Sequence, residues 1–308
     1  MADTLYTLAD LLKINDKNAR DLGMSDILRD APLLKALHTV PASAGTQHKY
    51  IKETTAPSVG FRAPNSGIAR TPSGDTVVTV DLKYMDGSHI VDVATADAYI
   101  GGAQGFIARK LPRNIGQSLF TFEQQLINGG GSGFDGFKQA LNALSNAMVV
   151  NATGTTVGGA TSVYAVRSTP DELDVAAVIG NDGVISVKET GTQFLADVSG
   201  NTYAAYVTPI GSWLTVQVGS AYSLGRICNL TTQAGKGLTD ILIASLINKF
   251  PAGRGPTHLV MNRQSLGQLQ ASRTAVNSSG APAPFPTESH GVPIIVTDAI
   301  VNTEALVA

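Results

Sequence analysis

The side chains that most often carry catalysis or bind metals are scattered through this chain. The five histidines are His38, His48, His89, His258 and His290, and no two are spaced to form a zinc-binding pair on one helix or turn. The single cysteine, Cys228, follows Ile227 and precedes Leu230 by two, a setting in which a thiol acts as a small buried hydrophobe. It has no partner for a disulfide within the chain. A Gly-x-Ser-x-Gly nucleophile turn is absent. The run Gln233-Ala234-Gly235-Lys236-Gly237 has the look of a phosphate loop, but Leu230 stands where its first glycine belongs and Gly237 where the magnesium-binding hydroxyl belongs. Asp171, Glu172 and Asp174 read as a solvated acidic loop, and the glycosylation triplets at Asn151, Asn229 and Asn277 as chance. No catalytic residue, cofactor site or metal ligand is assigned.

One group of functional side chains does stand together: Arg109, Lys110 and Arg113. Three readings apply: a solvated helix face, contact with an acidic surface of a neighbouring molecule, or contact with nucleic acid. Aromatic residues that would stack bases do not interleave the cluster, so the third is the least favoured.

The element that carries this cluster is a long amphipathic helix over residues 103–128. Ile107, Leu111, Ile115, Leu119, Phe122 and Leu126 form one apolar stripe, with Arg109, Arg113, Gln117 and Gln124 on other faces. Pro112 either starts the stable helix or kinks a longer one. Gly129 to Gly131 end it. Ahead of it, Gln47–Glu53 and Thr76–Tyr84 read as strands around a stretch punctuated by Pro57, Gly60, Pro64, Gly67, Pro72 and Gly74. With arms of roughly 40–50 Å at 3.3 Å per residue, this hairpin is too long and too polar at its tip to fold into its own core. A two-stranded ribbon alone is marginal in water, so it is expected to lie on another subunit; an ordinary solvent-exposed flap is the alternative.

Residues 1–43 read as an arm with helical stretches Leu5–Leu12 and Ser25–Leu37. After the long helix come a short helical stretch, Gly136–Met148, and strands Thr161–Arg167, Thr202–Thr208 and Ser212–Val218, with a turn at Asn181-Asp182-Gly183. Leu238–Lys249 is apolar nearly all round and reads as a buried helix. His258–Met261 reads as a strand, Asn262 as the cap of a helix Arg263–Ala271, Thr274–Pro286 as a loop and Val292–Thr297 as a strand. No internal repeat is found.

The 308 residues can build two modest domains or one with long excursions. Charged residues are 15% of the chain, below the roughly 25% of an average soluble domain, and there are 32 glycines. Such a surface is expected to be covered in part by copies of the chain. The net charge of −2 gives no global attraction to nucleic acid. Met1 to Asp10 holds two acids and no base, unlike a secretory leader. No run of about 18 apolar residues occurs, so no transmembrane helix is expected.

The order of arm, hairpin loop and long helix ending in Gln124-Gln125-Leu126-Ile127-Asn128-Gly129, followed by Gly133-Phe134-Asp135-Gly136-Phe137, resembles the tailed-bacteriophage major capsid family with the Hong Kong 97-type fold. Thr161-Ser162-Val163-Tyr164-Ala165-Val166-Arg167, Leu224-Gly225-Arg226-Ile227-Cys228-Asn229, Leu259-Val260-Met261-Asn262-Arg263 and Gly291-Val292-Pro293-Ile294-Ile295 add to the resemblance, which covers nearly the whole chain. It implies an α+β fold with an N-arm (1–43), an extended loop and its base (44–95), a peripheral domain with spine helix and β-rich insert (96–235) and an axial domain (236–308), the last two discontinuous. It implies a non-enzymatic coat subunit, without cofactors, assembling as pentamers and hexamers into an icosahedral head around double-stranded DNA. Phe61, Arg62 and Arg70 on the loop, with Arg109, Lys110 and Arg113, are then inter-subunit contacts, and Pro112 is a helix hinge.

The implied partners are further copies, a portal protein, a decoration protein and packaged DNA bound without sequence specificity; no membrane is involved. The chain opens directly with the arm, so a separate scaffolding protein is expected. No lysine or asparagine is assigned to the Lys–Asn crosslink of the type member. The implied location is the virion, after assembly in the cytoplasm of a bacterial host. The alternatives are an encapsulin-type compartment enclosing a cargo enzyme, a soluble hydrolase with a dispersed site, and a tail or decoration protein, which would lack the 107–126 stripe.

Overall fold

The computed structural model describes residues 30–180, 185–188, 190–273 and 284–308. The expected helix Leu5–Leu12, the start of Ser25–Leu37, the turn Asn181-Asp182-Gly183 and most of the loop Thr274–Pro286 lie outside the described residues. Within them the chain runs α1 (Pro32–Ala36), β1 (His38–Pro41), β2 (Gln47–Thr55), β3 (Gly74–Asp81), β4 (Lys83–Asp86), β5 (His89–Asp92), α2 (Val93–Asp97), α3 (Gly102–Asn128) and α4 (Phe137–Ala140). There follow β6 (Val149–Asn151), β7 (Thr161–Val166), β8 (Val175–Ile179), β9 (Ser186–Val187), β10 (Thr192–Ala196), β11 (Thr202–Thr208), β12 (Ile210–Val218) and β13 (Leu224–Leu230). The last elements are α5 (Asp240–Ile247), β14 (His258–Met261), α6 (Arg263–Ser272), β15 (Glu288–Ser289) and β16 (Val292–Val296).

These strands form an α+β arrangement of separate sheets. A six-stranded sheet has the order β15-β16-β14-β7-β13-β6. Its strands β7 and β13 are buried at every residue, so neither shows the in-and-out alternation of a half-exposed strand. Helix α5 packs on β13 and β6, and α6 on β7. Gly225 permits the close approach of α5: a Cβ there would stand 2.8 Å from Leu246 Cδ1. A second sheet runs β1-β8-β12-β4, with β9 added to β12, and a third runs β10-β11-β5. The division expected near residue 235 does not coincide with a sheet boundary, because β7 pairs with both β13 and β14.

Helix α3 spans 27 residues, about 40 Å at 1.5 Å per residue, and begins at Gly102 rather than at Pro112. Pro112 lies inside it, exposed, and has no N–H to give the carbonyl four residues back. The helix serves two cores. Phe106 and Ile107 pack with Val91 and Ala96 under the β5–β11 sheet. Phe122, Leu126 and Ile127 join the large core formed with Phe134, Phe137 and Tyr164. Leu111, Ile115 and Leu119, expected in one continuous buried stripe, are only half-buried, because the middle of the helix crosses between these bodies. The Gly-rich stop is held by side chains: Gln125 Nε2 donates to the carbonyls of Gly130 at 3.0 Å and Phe134 at 2.6 Å, and Gln139 Nε2 to that of Asn128 at 2.7 Å.

Several expected elements are trimmed. The stretch Gly136–Met148 is helical only at Phe137–Ala140. Helix α5 is not buried all round, since Ile241 is 77% exposed. Asn262 does cap α6, its side chain accepting from the Ser265 N–H at 2.9 Å. No helix among the described residues is long and apolar enough to cross a membrane.

Candidate assembly surface

The two arms of the ribbon, β2 and β3, pair antiparallel from Gln47↔Asp81 to Thr55↔Gly74. Beyond Asp81 the chain breaks step at buried Leu82 and enters the second sheet as β4, so the expected single strand Thr76–Tyr84 is two. Alternation gives the ribbon unequal faces. His48 and Tyr50 face the body. The Tyr50 hydroxyl donates to the Val218 carbonyl at 3.1 Å. His48 Nδ1 accepts from the Ser43 N–H at 3.2 Å, which leaves Nε2–H to donate to Gln217 Oε1 at 2.7 Å. Burial pushes the Tyr50 phenol above its ordinary range. The other face shows the cross-strand pair Ile51 and Val77, 66% and 61% exposed.

Every residue from 53 to 73 is exposed. The tip is nevertheless built. The Ser58 N–H donates to the Thr71 carbonyl at 3.0 Å, the Thr71 N–H to Ser58 Oγ at 2.6 Å, and Arg62 Nη1 to the Ser66 carbonyl at 3.3 Å. Phe61, Arg62 and Arg70 all lie exposed on this tip, Phe61 fully so.

The basic group on α3 divides. Arg109 is half-buried, its Nη1 donating to the Tyr99 hydroxyl at 3.4 Å, and Arg113 is half-buried as well. Lys110 departs from a solvated face: it is 8% exposed, with its ammonium 5.7 Å from the Phe106 ring centroid. Burial first and the charge of Lys110 second hold His89, on β5, below the ordinary imidazole range.

Two buried polar centres were not visible in the sequence. Glu123, fully buried on α3, accepts the Leu33 N–H at 2.9 Å and the Leu34 N–H at 3.2 Å, and the Thr297 hydroxyl on its other oxygen. It thus caps α1 from another helix and ties it to the segment after β16. Burial raises its carboxyl above the usual range, against the lowering effect of these hydrogen bonds and of Lys35. The second centre is Arg226, which donates to Ser162 Oγ at 2.9 Å, the Leu141 carbonyl at 2.8 Å and Glu304 at 2.8 Å. The only sequence signal for Glu123 is an acid beside the apolar stripe, at the spacing of Leu119 and Ile127.

Among the described residues no cluster of three or more His, Cys, Asp or Glu side chains is arranged to hold a metal ion. What the described residues present instead is a ribbon whose tip is uncovered and a long helix joining two cores. A family model described as "Major capsid protein GP7" matches residues 24–308. The chain belongs to this major capsid protein family. No curated protein matches it in sequence. The solved structure of bacteriophage Epsilon15 is similar, with a TM-score of 0.73 at 18% identity over 100% of this chain and 98% of that chain. The capsid of bacteriophage JBD30 has a TM-score of 0.56 at 13% identity, covering 96% of this chain and 99% of that one. The SrpI encapsulin of Synechococcus elongatus PCC 7942 reaches 0.46 at 14% identity over 71% of this chain and 96% of that one.

The coat protein therefore has the Hong Kong 97-type capsid fold, its role is structural, and its place is the virion capsid. The six-stranded sheet joins β14 and β16 to β6, β7 and β13, strands from both sides of the division expected near residue 235.

Proposed function

We propose that this coat protein assembles as pentamers and hexamers into an icosahedral head around double-stranded DNA, with the β2–β3 ribbon of each copy lying on a neighbour. The observation that carries this reading is the unbroken exposure of residues 53–73 on an ordered tip that displays Val59 at 91% and Phe61 at 109%. Apolar side chains held in that state gain about 25 cal/mol per Å² when another surface covers them, and a shell repeats that gain at every edge. Phe61, Arg62 and Arg70 are the contacts of the tip. Arg109 and Arg113 contribute at the helix, whereas Lys110 is enclosed within its own subunit. Pro112 is the hinge of α3, since the carbonyl it frees sits where the helix lies between its two cores.

On this reading the other partners are a separate scaffolding protein, a portal protein, a decoration protein and DNA held on the inner face without sequence readout, all met in the cytoplasm of a bacterial host. Sedimentation of the purified chain, with negative-stain microscopy, tests the proposal. Closed megadalton particles are expected, alone or with scaffold. A chain that stays monomeric under both conditions would overturn it.

A further inference from the structure

The ribbon rests against the end of β12, and what steadies that end reaches back to another sheet. Strands β8 and β12 lie in the second sheet, whereas β7 belongs to the six-stranded one. Residues 167–174 cross from β7 to β8. The crossing is folded around one carboxylate. Asp174 is fully buried, and its oxygens accept from Arg167 Nε at 3.0 Å, Arg254 Nη2 at 2.8 Å and the Thr169 hydroxyl at 2.5 Å. Arg254 also meets Asp171 at 3.2 Å. It stands between α5 and β14, and β14 is a strand of the six-stranded sheet. Arg167 Nη1 donates to the Gly255 carbonyl of the same segment at 3.0 Å.

The crossing is pressed onto the end of β12. A Cβ on Gly219 would stand 2.2 Å from the Glu172 carbonyl oxygen, so only glycine admits this approach. The same carbonyl accepts Gln217 Nε2 at 2.6 Å. That bond decides which way the amide faces: with Nε2 taken by Glu172, Oε1 is turned to His48 Nε2–H at 2.7 Å on the ribbon. The hydrogen bonds therefore run in one direction, from the Ser43 N–H through His48 and Gln217 to the Glu172 carbonyl. Beside this line lies a groove of about 290 Å³, lined by His48, Tyr50, Pro170, Glu172 and Ala176. Close packing does not fill the space between ribbon and crossing, so a few polar contacts hold the ribbon there.

We infer that the 167–174 crossing links the six-stranded sheet to the ribbon: Arg254 and Asp174 hold the Glu172 carbonyl in place, and through Gln217 that carbonyl sets the angle at which the ribbon stands. A shift of the segment carrying Arg254 is thereby passed to the ribbon. The link is a property of the single subunit. Only its bearing on assembly rests on the shell reading, so the test uses the unassembled chain.

Amide hydrogen exchange of that subunit, read by mass spectrometry, tests it. Arg254→Met removes the outer cation, whose side chain is 33% exposed. Amides of Gln47–Thr55 and Gly74–Asp81 should then exchange roughly fivefold faster, the effect of about one lost hydrogen bond, while those of β7 and β13 keep their rates. Lys249→Met is the control. Lys249 lies in the same segment but donates to the Ala147 carbonyl at 2.8 Å, so its loss should leave the ribbon unchanged. Gln217→Leu combined with Arg254→Met should be no faster than the faster single variant, because both cut one path. Unchanged ribbon exchange in Arg254→Met, an equal rise in Lys249→Met, or effects that multiply in the double variant would overturn the link. Were Arg254→Met not to fold, Gly219→Ala decides: it displaces the Glu172 carbonyl and leaves the ion pairs in place, and unaltered ribbon exchange would again overturn the link.

Discussion

Arg226 Nη2 lies 2.8 Å from Glu304 Oε2, with both side chains 1% exposed. Glu304 Oε2 also accepts the Ser162 hydroxyl at 2.5 Å, and the guanidinium sits 5.8 Å from the Tyr164 ring. Removing one partner leaves an uncompensated buried charge. Glu304→Ala should therefore destabilise the unassembled subunit by about 3–5 kcal/mol. Replacing both, as Arg226→Met with Glu304→Leu, should cost far less than the sum of the single changes. Urea unfolding of the four proteins of this double-mutant cycle checks it; additive losses would contradict the pairing.

Glu123 gives a pH dependence with a definite sign. Its folded carboxyl titrates above its unfolded value because burial disfavours the charge. The folded state then holds the proton more tightly, so this group's stabilising effect is full below the unfolded pKa, near pH 4, and is lost as pH rises through the folded pKa. Glu123→Gln should flatten that slope, because an amide can still accept from Leu33 or Leu34 and donate to Thr297. Glu123→Ala strands the two N–H groups and should cost about 1–3 kcal/mol, with the larger loss at low pH. Unfolding midpoints of the three proteins at low and neutral pH decide the matter; a parallel slope in the Gln variant would point to another group.

Deleting Ala56–Gly74 should leave a folded subunit that does not assemble. The deleted stretch contributes no residue to either hydrophobic core. Circular dichroism and the unfolding midpoint are expected to change little, while particles disappear from sedimentation profiles. Closed shells made by the shortened chain would refute the role given to the ribbon.

Gln217→Leu should loosen the ribbon at its root. It removes the acceptor of His48 Nε2–H and the donor to the Glu172 carbonyl at 2.6 Å. The expected loss is about 1–3 kcal/mol, the usual range for a stranded buried donor. Limited proteolysis should cut between residues 53 and 73 faster than in the parent, with the body unaffected; equal cleavage rates would mean that Tyr50 alone sets the angle.

Pro112→Ala should stabilise α3, by up to about 3 kcal/mol, by restoring the missing N–H donor within the helix. The same change should slow amide hydrogen exchange in the turn around residue 112, read by mass spectrometry. Unchanged or faster exchange would remove the hinge role proposed for this proline.

Much of this architecture was legible because local chemistry and tertiary fold agree. Asn262 ahead of Arg263–Ser272 is a cap with its helix, and Thr202–Thr208 is a strand over the expected residues. The ribbon was visible through proline and glycine punctuation. Other parts were hidden for identifiable reasons. Val175–Ile179 is buried on both faces, so it shows no period. Thr192–Ala196 is almost wholly exposed in one copy, so nothing marked Phe194 as part of a surface. The α3 stripe was read as one face because spacing does not report that two cores share a helix. Lys110 and Glu123 were misjudged or overlooked because sequence gives charge but not the partners that let charge be buried.

The reach of the Arg226 network along the chain also bears on synthesis. Glu304 follows Arg226 by 78 residues and Ser162 by 142, so it is the last of the three to leave the ribosome. Until it does, the middle of the largest sheet holds a cation without its counterion, and β7 and β13 have no settled interior. A product truncated before Glu304 lacks that counterion permanently, so the centre of the sheet depends on a residue that lies far downstream in the chain.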